Sequence, residues 1–156
     1  MSTGRWVCAA ASVALVLLYA AGSGWWVSSG DAWYQRLEQP AWQPADVVFG
    51  LIWPYNFAAI VAASIAVSMS GTGTIRAIWL LALAASVVAA LAWARLFYVS
   101  HELWPAAIAL IIATAATAPL VVAAFATRTW AGAILVPYLT WLALAASLSI
   151  GYARLN

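Results

Sequence analysis

Five long apolar runs, separated by short polar segments, make up most of the chain. A helix needs about 20 apolar residues to cross a bilayer, because it rises about 1.5 Å per residue through a hydrocarbon core of about 30 Å. The alternation of apolar and polar residues that is typical of barrel strands does not occur in these runs. The pattern therefore predicts transmembrane helices at approximately residues 6–27, 47–69, 77–99, 103–126 and 130–153.

Composition and connection lengths place these helices in one domain, residues 1–156. Hydrophobic residues make up 67% of the chain and charged residues only 6%, which excludes a protein with an ordinary water-facing surface. All connections are short except the one at residues 28–46. We therefore predict an all-α membrane protein, a five-transmembrane-helix bundle with a long structured loop between helices 1 and 2, and we expect it in a bacterial cell membrane.

The first run also has features of a cleavable signal peptide, since Arg5 precedes it and small residues occur near its end. It continues into Trp25 and Trp26, an aromatic pair suited to the membrane interface, and this favours a retained helix. The six arginines divide equally between the two sides of the predicted bundle, so its orientation stays open. A net charge of +2 without a basic patch gives no reason to expect a nucleic-acid partner.

Residues that could bind a metal or act as a nucleophile are scarce. Cys8 is the only cysteine and His101 the only histidine, whereas a zinc site takes three or four protein ligands, so we predict no metal site. His101 and Glu102 occupy a short turn between the third and fourth runs. A solvated interfacial turn is the favoured interpretation, and an axial ligand or proton shuttle is the alternative. No nucleophile beside a base and no glycine-rich phosphate loop can be recognised.

Aromatic residues are more informative, because they recur at helical spacing on three of the predicted helices. They are Phe49, Trp53 and Phe57 on the second, Trp93 and Phe97 on the third, and Tyr138 and Trp141 on the fifth. Trp53 and Trp141 lie well inside their runs, where an indole N–H needs a partner or borders a cavity. Either these rings only fill the bundle, or they surround a cavity for a flat apolar ligand.

The long connection carries a second aromatic cluster, interrupted by prolines. It reads Trp33-Tyr34-x-x-Leu37-x-x-Pro40-x-Trp42-x-Pro44. Rigid side chains with few rotamers lose little entropy when they become ordered against a ligand. We therefore expect this segment to form a lid over the mouth of the bundle.

The lid motif, together with Phe49-x-x-x-Trp53, Pro137-Tyr138-x-x-Trp141 and the closing Arg154-Leu155-Asn156, resembles the tryptophan-rich sensory protein and translocator protein family. The resemblance covers essentially the whole chain. It implies a five-helix bundle, commonly a homodimer, whose first loop covers a pocket for porphyrins, sterols and isoquinoline-type or benzodiazepine-type compounds. A porphyrin such as protoporphyrin or haem is then the expected ligand, and no cofactor is required.

Matching positions carry the family's pocket over to this sequence. The implied ligand-binding residues are Tyr34, Pro44, Trp53, Phe57, Trp93, Trp141 and Ala145, under a lid that contains Trp33, Leu37, Pro40 and Trp42. The family resemblance leaves three functions open. The protein is a sensor or carrier of such ligands, or an enzyme that degrades porphyrins with light and oxygen, or a modulator of a partner membrane complex that needs no ligand. Trp53 and Trp141 would be catalytic only in the second case.

Four positions depart from the family pattern. Ser86 and Ala90 stand where the family usually carries Gln and Asn, Ser149 replaces an Asn, and Ala45 replaces the second proline of the lid. We therefore expect a less polar pocket and an altered ligand preference.

Two further patterns each allow two interpretations. Leu148, Tyr152 and Arg154 satisfy the loose cholesterol-recognition motif, but an interfacial tyrosine and a snorkelling arginine explain them equally well. Small residues repeat every four positions at Ala82, Ser86, Ala90 and Ala94, which lets helices approach closely. This ridge either packs the bundle or forms a homodimer face, and membrane lipid is the other expected partner.

Overall fold

A computed structural model of the protein describes residues 2–29 and 31–156, and this part of the chain is almost entirely helical. The helices are α1 (Ser2–Ser29), α2 (Asp31–Tyr34), α3 (Asp46–Ser70), α4 (Gly73–Arg95), α5 (Leu103–Thr127) and α6 (Thr129–Leu155), and a π-helical turn, Leu96–Ser100, continues α4. No strand occurs in the described residues. All but the one-turn α2 are long and apolar enough to cross a membrane, which confirms the predicted five-helix bundle.

The observed helices are longer at their ends than the predicted spans. The first was predicted at residues 6–27 and runs from Ser2 to Ser29. Hydropathy marks only the part of a helix inside the hydrocarbon, whereas the helix itself continues through the polar headgroup layer. The long connection is shortened accordingly and begins with α2. We refer to residues 31–45 as the lid.

The outward faces of the bundle are apolar. Large side chains such as Leu51, Leu81 and Val122 are between 68 and 74% exposed. Exposed apolar surface on this scale is unfavourable in water and suits contact with lipid tails. Together with the five spanning helices, it identifies an integral, multi-pass membrane protein.

Small buried residues set how the helices pack. α5 lies along both α4 and α6, α1 packs against α3 and α4, and α3 packs against α6. Ala113 and Ala124 of α5 are fully buried, which allows close approach of the neighbouring helices. Three members of the small-residue ridge of α4, Ser86, Ala90 and Ala94, are also buried within the protomer. That ridge therefore packs the bundle, and a homodimer stays a prediction.

Polar groups inside the bundle are few, and two of them bond to each other. The hydroxyl oxygens of Ser86 and Thr117 are 2.8 Å apart, and both hydroxyls also lie within hydrogen-bonding distance of the Ala113 carbonyl. This group connects α4 to α5. Asn56, two residues after Pro54, behaves differently. Within the described part of the chain neither atom of its side-chain amide has a hydrogen-bond partner.

Replacing Asn56 with leucine should leave the free energy of unfolding unchanged or raise it by about 1 kcal/mol, because an unpaired buried polar group is destabilising by about 1–3 kcal/mol. Thermal unfolding in detergent measures the change. Thr117→Val is the matched control, since it removes a hydroxyl that is paired, and it should lower stability. A loss of stability in Asn56→Leu equal to that of the control would contradict the prediction.

Gly132 should tolerate no side chain, because α5 and α6 meet there. A Cβ atom at this position would lie 2.2 Å from Cγ of Phe125, an atom too close to its own backbone to move away freely. Gly132→Ala should therefore lower the melting temperature by several degrees, and a second substitution, Phe125→Ala, should restore part of the loss. Gly50→Ala is the control, since a Cβ atom there meets nothing within 4 Å. Equal melting temperatures for Gly132→Ala and Gly50→Ala would refute this packing.

Candidate functional site

A cavity of about 330 Å³ lies beneath the lid, between α1, α3, α4 and α6. Its volume is within the range of small-molecule pockets, near the lower end. The described residues that line it are Ala20, Ser23, Gly24, Val27, Tyr34, Gln43, Phe49, Trp53, Phe57, Trp93, Phe97, Tyr98, Trp141, Ala145, Leu148, Ser149 and Tyr152. The wall is therefore mostly aromatic and aliphatic.

Six of the seven predicted ligand-binding residues border this cavity. They are Tyr34, Trp53, Phe57, Trp93, Trp141 and Ala145. The seventh, Pro44, does not border it, and its neighbour Gln43 does. Pro44 is half-buried, so one residue along the lid separates a wall residue from one outside the wall. Of the four departures from the family pattern, only Ser149 is in the wall.

The tryptophans of α3 and α6 converge. The ring centroids of Trp53 and Trp141 are 6.5 Å apart with an interplanar angle of 86°, an edge-to-face contact. Phe57 stacks on Trp53 at 5.6 Å, and Phe49 meets Trp141 edge-on at 5.1 Å. The aromatic stripe of α3 and the ring of α6 thus form one continuous wall.

The π-helical turn supplies two wall residues that the spacing did not predict together. Phe97 and Tyr98 are consecutive, yet both border the cavity. The turn ends at His101, whose backbone is left-handed at φ 60°, and the backbone N–H groups of His101 and Glu102 both donate to the Leu96 carbonyl. A π-helical turn has no hydropathy signature, so the sequence indicated Phe97 through its spacing from Trp93 but gave no sign of Tyr98.

His101 itself does not reach the cavity. Its imidazole is exposed and lies flat on the indole of Trp33, with ring centroids 4.0 Å apart and an interplanar angle of 13°. This arrangement agrees with the interfacial-turn interpretation. No group of three or more metal-ligating side chains occurs among the described residues.

The four predicted lid residues do not line the cavity. They pack the lid against the bundle. Trp33 and Leu37 pack on the cluster around Phe97, with the Trp33 and Phe97 rings 5.6 Å apart. Pro40 and Trp42 lie on α6 at Gly151, where a Cβ atom would come within 2.7 Å of Pro40 Cγ and 3.0 Å of Trp42 Cζ2.

Hydrogen bonds close the lid at three places. Trp42 Nε1 donates to Ser147 Oγ at 3.3 Å. The Asn156 side chain accepts from the Glu38 backbone N–H at 2.9 Å and donates to the Glu38 carbonyl at 3.1 Å. The third contact joins Tyr34 and Gln43 of the lid to Tyr152 of α6, in the cavity wall. The lid is thus attached to α6 along the last three turns of that helix.

The residues of the loose sterol motif do not share one lipid-facing surface. Leu148 and Tyr152 are 5% and 3% exposed and face the cavity, whereas Arg154 is exposed at the end of α6. The Tyr152 hydroxyl contacts Tyr34 and Gln43 of the lid and not a lipid-facing ligand site.

Some polar atoms of the wall residues have no partner. Trp93 Nε1, Trp141 Nε1 and Ser149 Oγ are buried and form no hydrogen bond within the described residues. Unpaired buried donors are rare, and others among the described residues, such as Asn56 Nδ2 and Trp79 Nε1, do not border the cavity. These atoms belong to the same wall that the aromatic rings form.

Comparison with known proteins agrees with this architecture. A profile of the TspO/MBR family matches residues 11–155. The tryptophan-rich sensory protein of Cereibacter sphaeroides is 30% identical over 149 residues, which cover 92% of each chain. The human translocator protein is 30% identical over 130 residues, 82% of this chain and 77% of that protein. Protein CrtK of Rhodobacter capsulatus is 24% identical over 147 residues, 93% of this chain and 91% of that protein. The five-helix bundle, its aromatic cavity and this match over nearly the whole sequence place the chain in the TspO/MBR family.

Proposed function

We propose that this protein binds a porphyrin-type tetrapyrrole, or a similar flat apolar molecule, in the cavity beneath the lid and acts as its sensor or carrier in a bacterial cell membrane. The observation that carries the proposal is the continuous wall of Phe49, Trp141, Trp53 and Phe57, in which the centroids of successive rings lie 5.1 to 6.5 Å apart. Such a wall offers a large planar ligand extensive contact area at little entropic cost.

The chemistry of the site supports a passive role. The wall contains no acidic side chain, no histidine and no cysteine among the described residues, and its titratable groups are the hydroxyls of Tyr34, Tyr98 and Tyr152. The unpaired N–H groups of Trp93 and Trp141 would gain a hydrogen bond from a ligand that carries an acceptor. The relatives named as a sensory protein and as a translocator protein are consistent with sensing or carriage.

A second candidate is the light- and oxygen-dependent degradation of porphyrin. The edge-to-face contact of Trp53 and Trp141 favours it, because two adjacent indoles can relay single electrons from a photoexcited porphyrin to dioxygen, which is the oxidant and supplies the oxygen added to the porphyrin. The third function, modulation of a partner complex without a ligand, predicts no saturable binding.

Titration of the detergent-solubilised protein with protoporphyrin should give saturable quenching of tryptophan fluorescence. Trp53→Phe and Trp141→Phe should each weaken binding by about threefold to tenfold, because indole stacking area and an N–H donor are lost. Trp130→Phe is the matched control, since Trp130 is 53% exposed at the start of α6 and should leave affinity unchanged. The Soret absorbance, followed in parallel, separates ligand binding from the loss of one fluorophore. Saturable binding whose affinity is unchanged in both Trp53→Phe and Trp141→Phe would exclude this site.

Illumination of the complex in air separates carrier from enzyme. A carrier should return protoporphyrin with its absorption spectrum unchanged after extraction, in amounts equal to those from a dark sample. A new absorbing species that needs light, dioxygen and both Trp53 and Trp141 would favour the degradative enzyme instead. Free protoporphyrin in the same detergent corrects for ordinary photobleaching.

A further inference from the structure

The polar contact between the lid and α6 forms a closed ring of three side chains. Gln43 Nε2 donates to the Tyr34 hydroxyl at 3.1 Å, the Tyr152 hydroxyl donates to Gln43 Oε1, and the two tyrosine oxygens are 3.0 Å apart. All three side chains border the cavity. Tyr152 is only 3% exposed, so its hydroxyl is held in an environment with little water.

Proton counting shows which donors the ring leaves free. Each tyrosine hydroxyl has one proton, and that of Tyr152 is used on Gln43 Oε1, so the Tyr34 proton closes the ring on the Tyr152 oxygen. One N–H of Gln43 points to Tyr34, and the second N–H is not used within the ring. Gln43 therefore has the one donor of the ring that can bond to a ligand without breaking it.

The ring also gives the cavity a polar end. Its remaining wall is formed mainly by aromatic and aliphatic side chains of the helices, and no acidic side chain borders it among the described residues. A ligand with an apolar body and one polar edge is therefore oriented by the site, with the polar edge towards the lid.

We propose that Gln43 determines specificity by binding a carboxylate on the edge of the ligand, an inference that rests on the proposed porphyrin-type function. A carboxylate only accepts hydrogen bonds, so it matches the free Gln43 N–H, and charge strengthens that bond. The acid thus gains a charge-assisted hydrogen bond from the lid while the ring stays closed, whereas the uncharged ester accepts a weaker one.

Gln43 is suited to this role because it supplies a donor at the lid end of the cavity, whereas positions 86 and 90 of α4 supply none. Ser86 is bonded to Thr117 and is absent from the wall, and Ala90 is fully buried and also absent from it. Neither position on α4 can therefore contact a carboxylate in this cavity. The lid supplies the donor instead.

The test compares protoporphyrin IX with its dimethyl ester, which has the same ring system without the two carboxylates. Dissociation constants for both are measured by Soret titration on the full chain in detergent, for the unmodified protein, Gln43→Leu, Gln43→Glu and Gln39→Leu. Gln39 is an exposed glutamine of the lid that does not border the cavity, so Gln39→Leu is the matched control.

The unmodified protein should bind the acid about tenfold more tightly than the ester, because a charged acceptor gains more than an uncharged one from the same donor. Gln43→Leu should abolish this preference, because it should weaken binding of the acid about tenfold more than binding of the ester, in addition to any loss that both ligands share when the contacts to Tyr34 and Tyr152 are removed. Gln43→Glu should reverse it, since a second carboxylate repels the first, and Gln39→Leu should preserve it.

The ratio of the two dissociation constants also separates the possible failures. A folding defect weakens the binding of both ligands equally and leaves the ratio unchanged. If Gln43→Leu does not fold, the ratio measured for Gln43→Glu, which keeps the shape of the side chain, tests the proposal. Saturable binding of both compounds with an unchanged ratio in the Gln43 variants would overturn the role of Gln43 and leave the proposed function standing. No saturable binding of either compound by the unmodified protein would overturn both.

Discussion

The absence of water from the hydrocarbon core is the constraint on which the rest of this structure depends. Backbone groups must bond within the chain, so every spanning segment is a helix, and side-chain donors must find partners or remain unpaired. Ser86 and Thr117 satisfy each other between α4 and α5. The polar contacts of the lid lie at the last turns of α6, where the bundle meets the interface. The same constraint makes the unpaired indoles of the cavity wall informative about what completes them.

The helices pack closely where their facing side chains are small, and they leave a cavity where those side chains are large. Along α4, α5 and α6, buried alanines such as Ala113 and Ala131, and the glycine at 132, let the helices approach until little space remains. Beneath the lid, large rings replace these small residues. Rings such as Trp53 and Trp141 keep the helices further apart there than alanine or glycine would. The cavity is therefore a consequence of residue size.

Much of this architecture could be predicted because it is periodic. Five apolar runs indicated the helices, and the four-residue spacing of Phe49, Trp53 and Phe57 indicated one face of α3. The lid motif indicated a cover, but its internal turns decide which side chain faces inward, so Pro44 was placed where Gln43 is found. Tyr98 could not be predicted, since it depends on a local change of helix type. Loop conformation and helix irregularity arise from tertiary contacts that no sequence period records.

The π-helical turn at the end of α4 contains one residue more than an α-helical turn, because its hydrogen bonds span five residues and not four. Without that extra residue, everything after it would rotate by about 100°, since an α-helix has about 3.6 residues per turn. Tyr98 would then leave the wall, and the stacked pair of His101 and Trp33 would lose its alignment. Insertion or deletion of one codon here would therefore reshape the binding chamber without altering any of its aromatic residues, a route to new ligand preference that substitution alone does not offer.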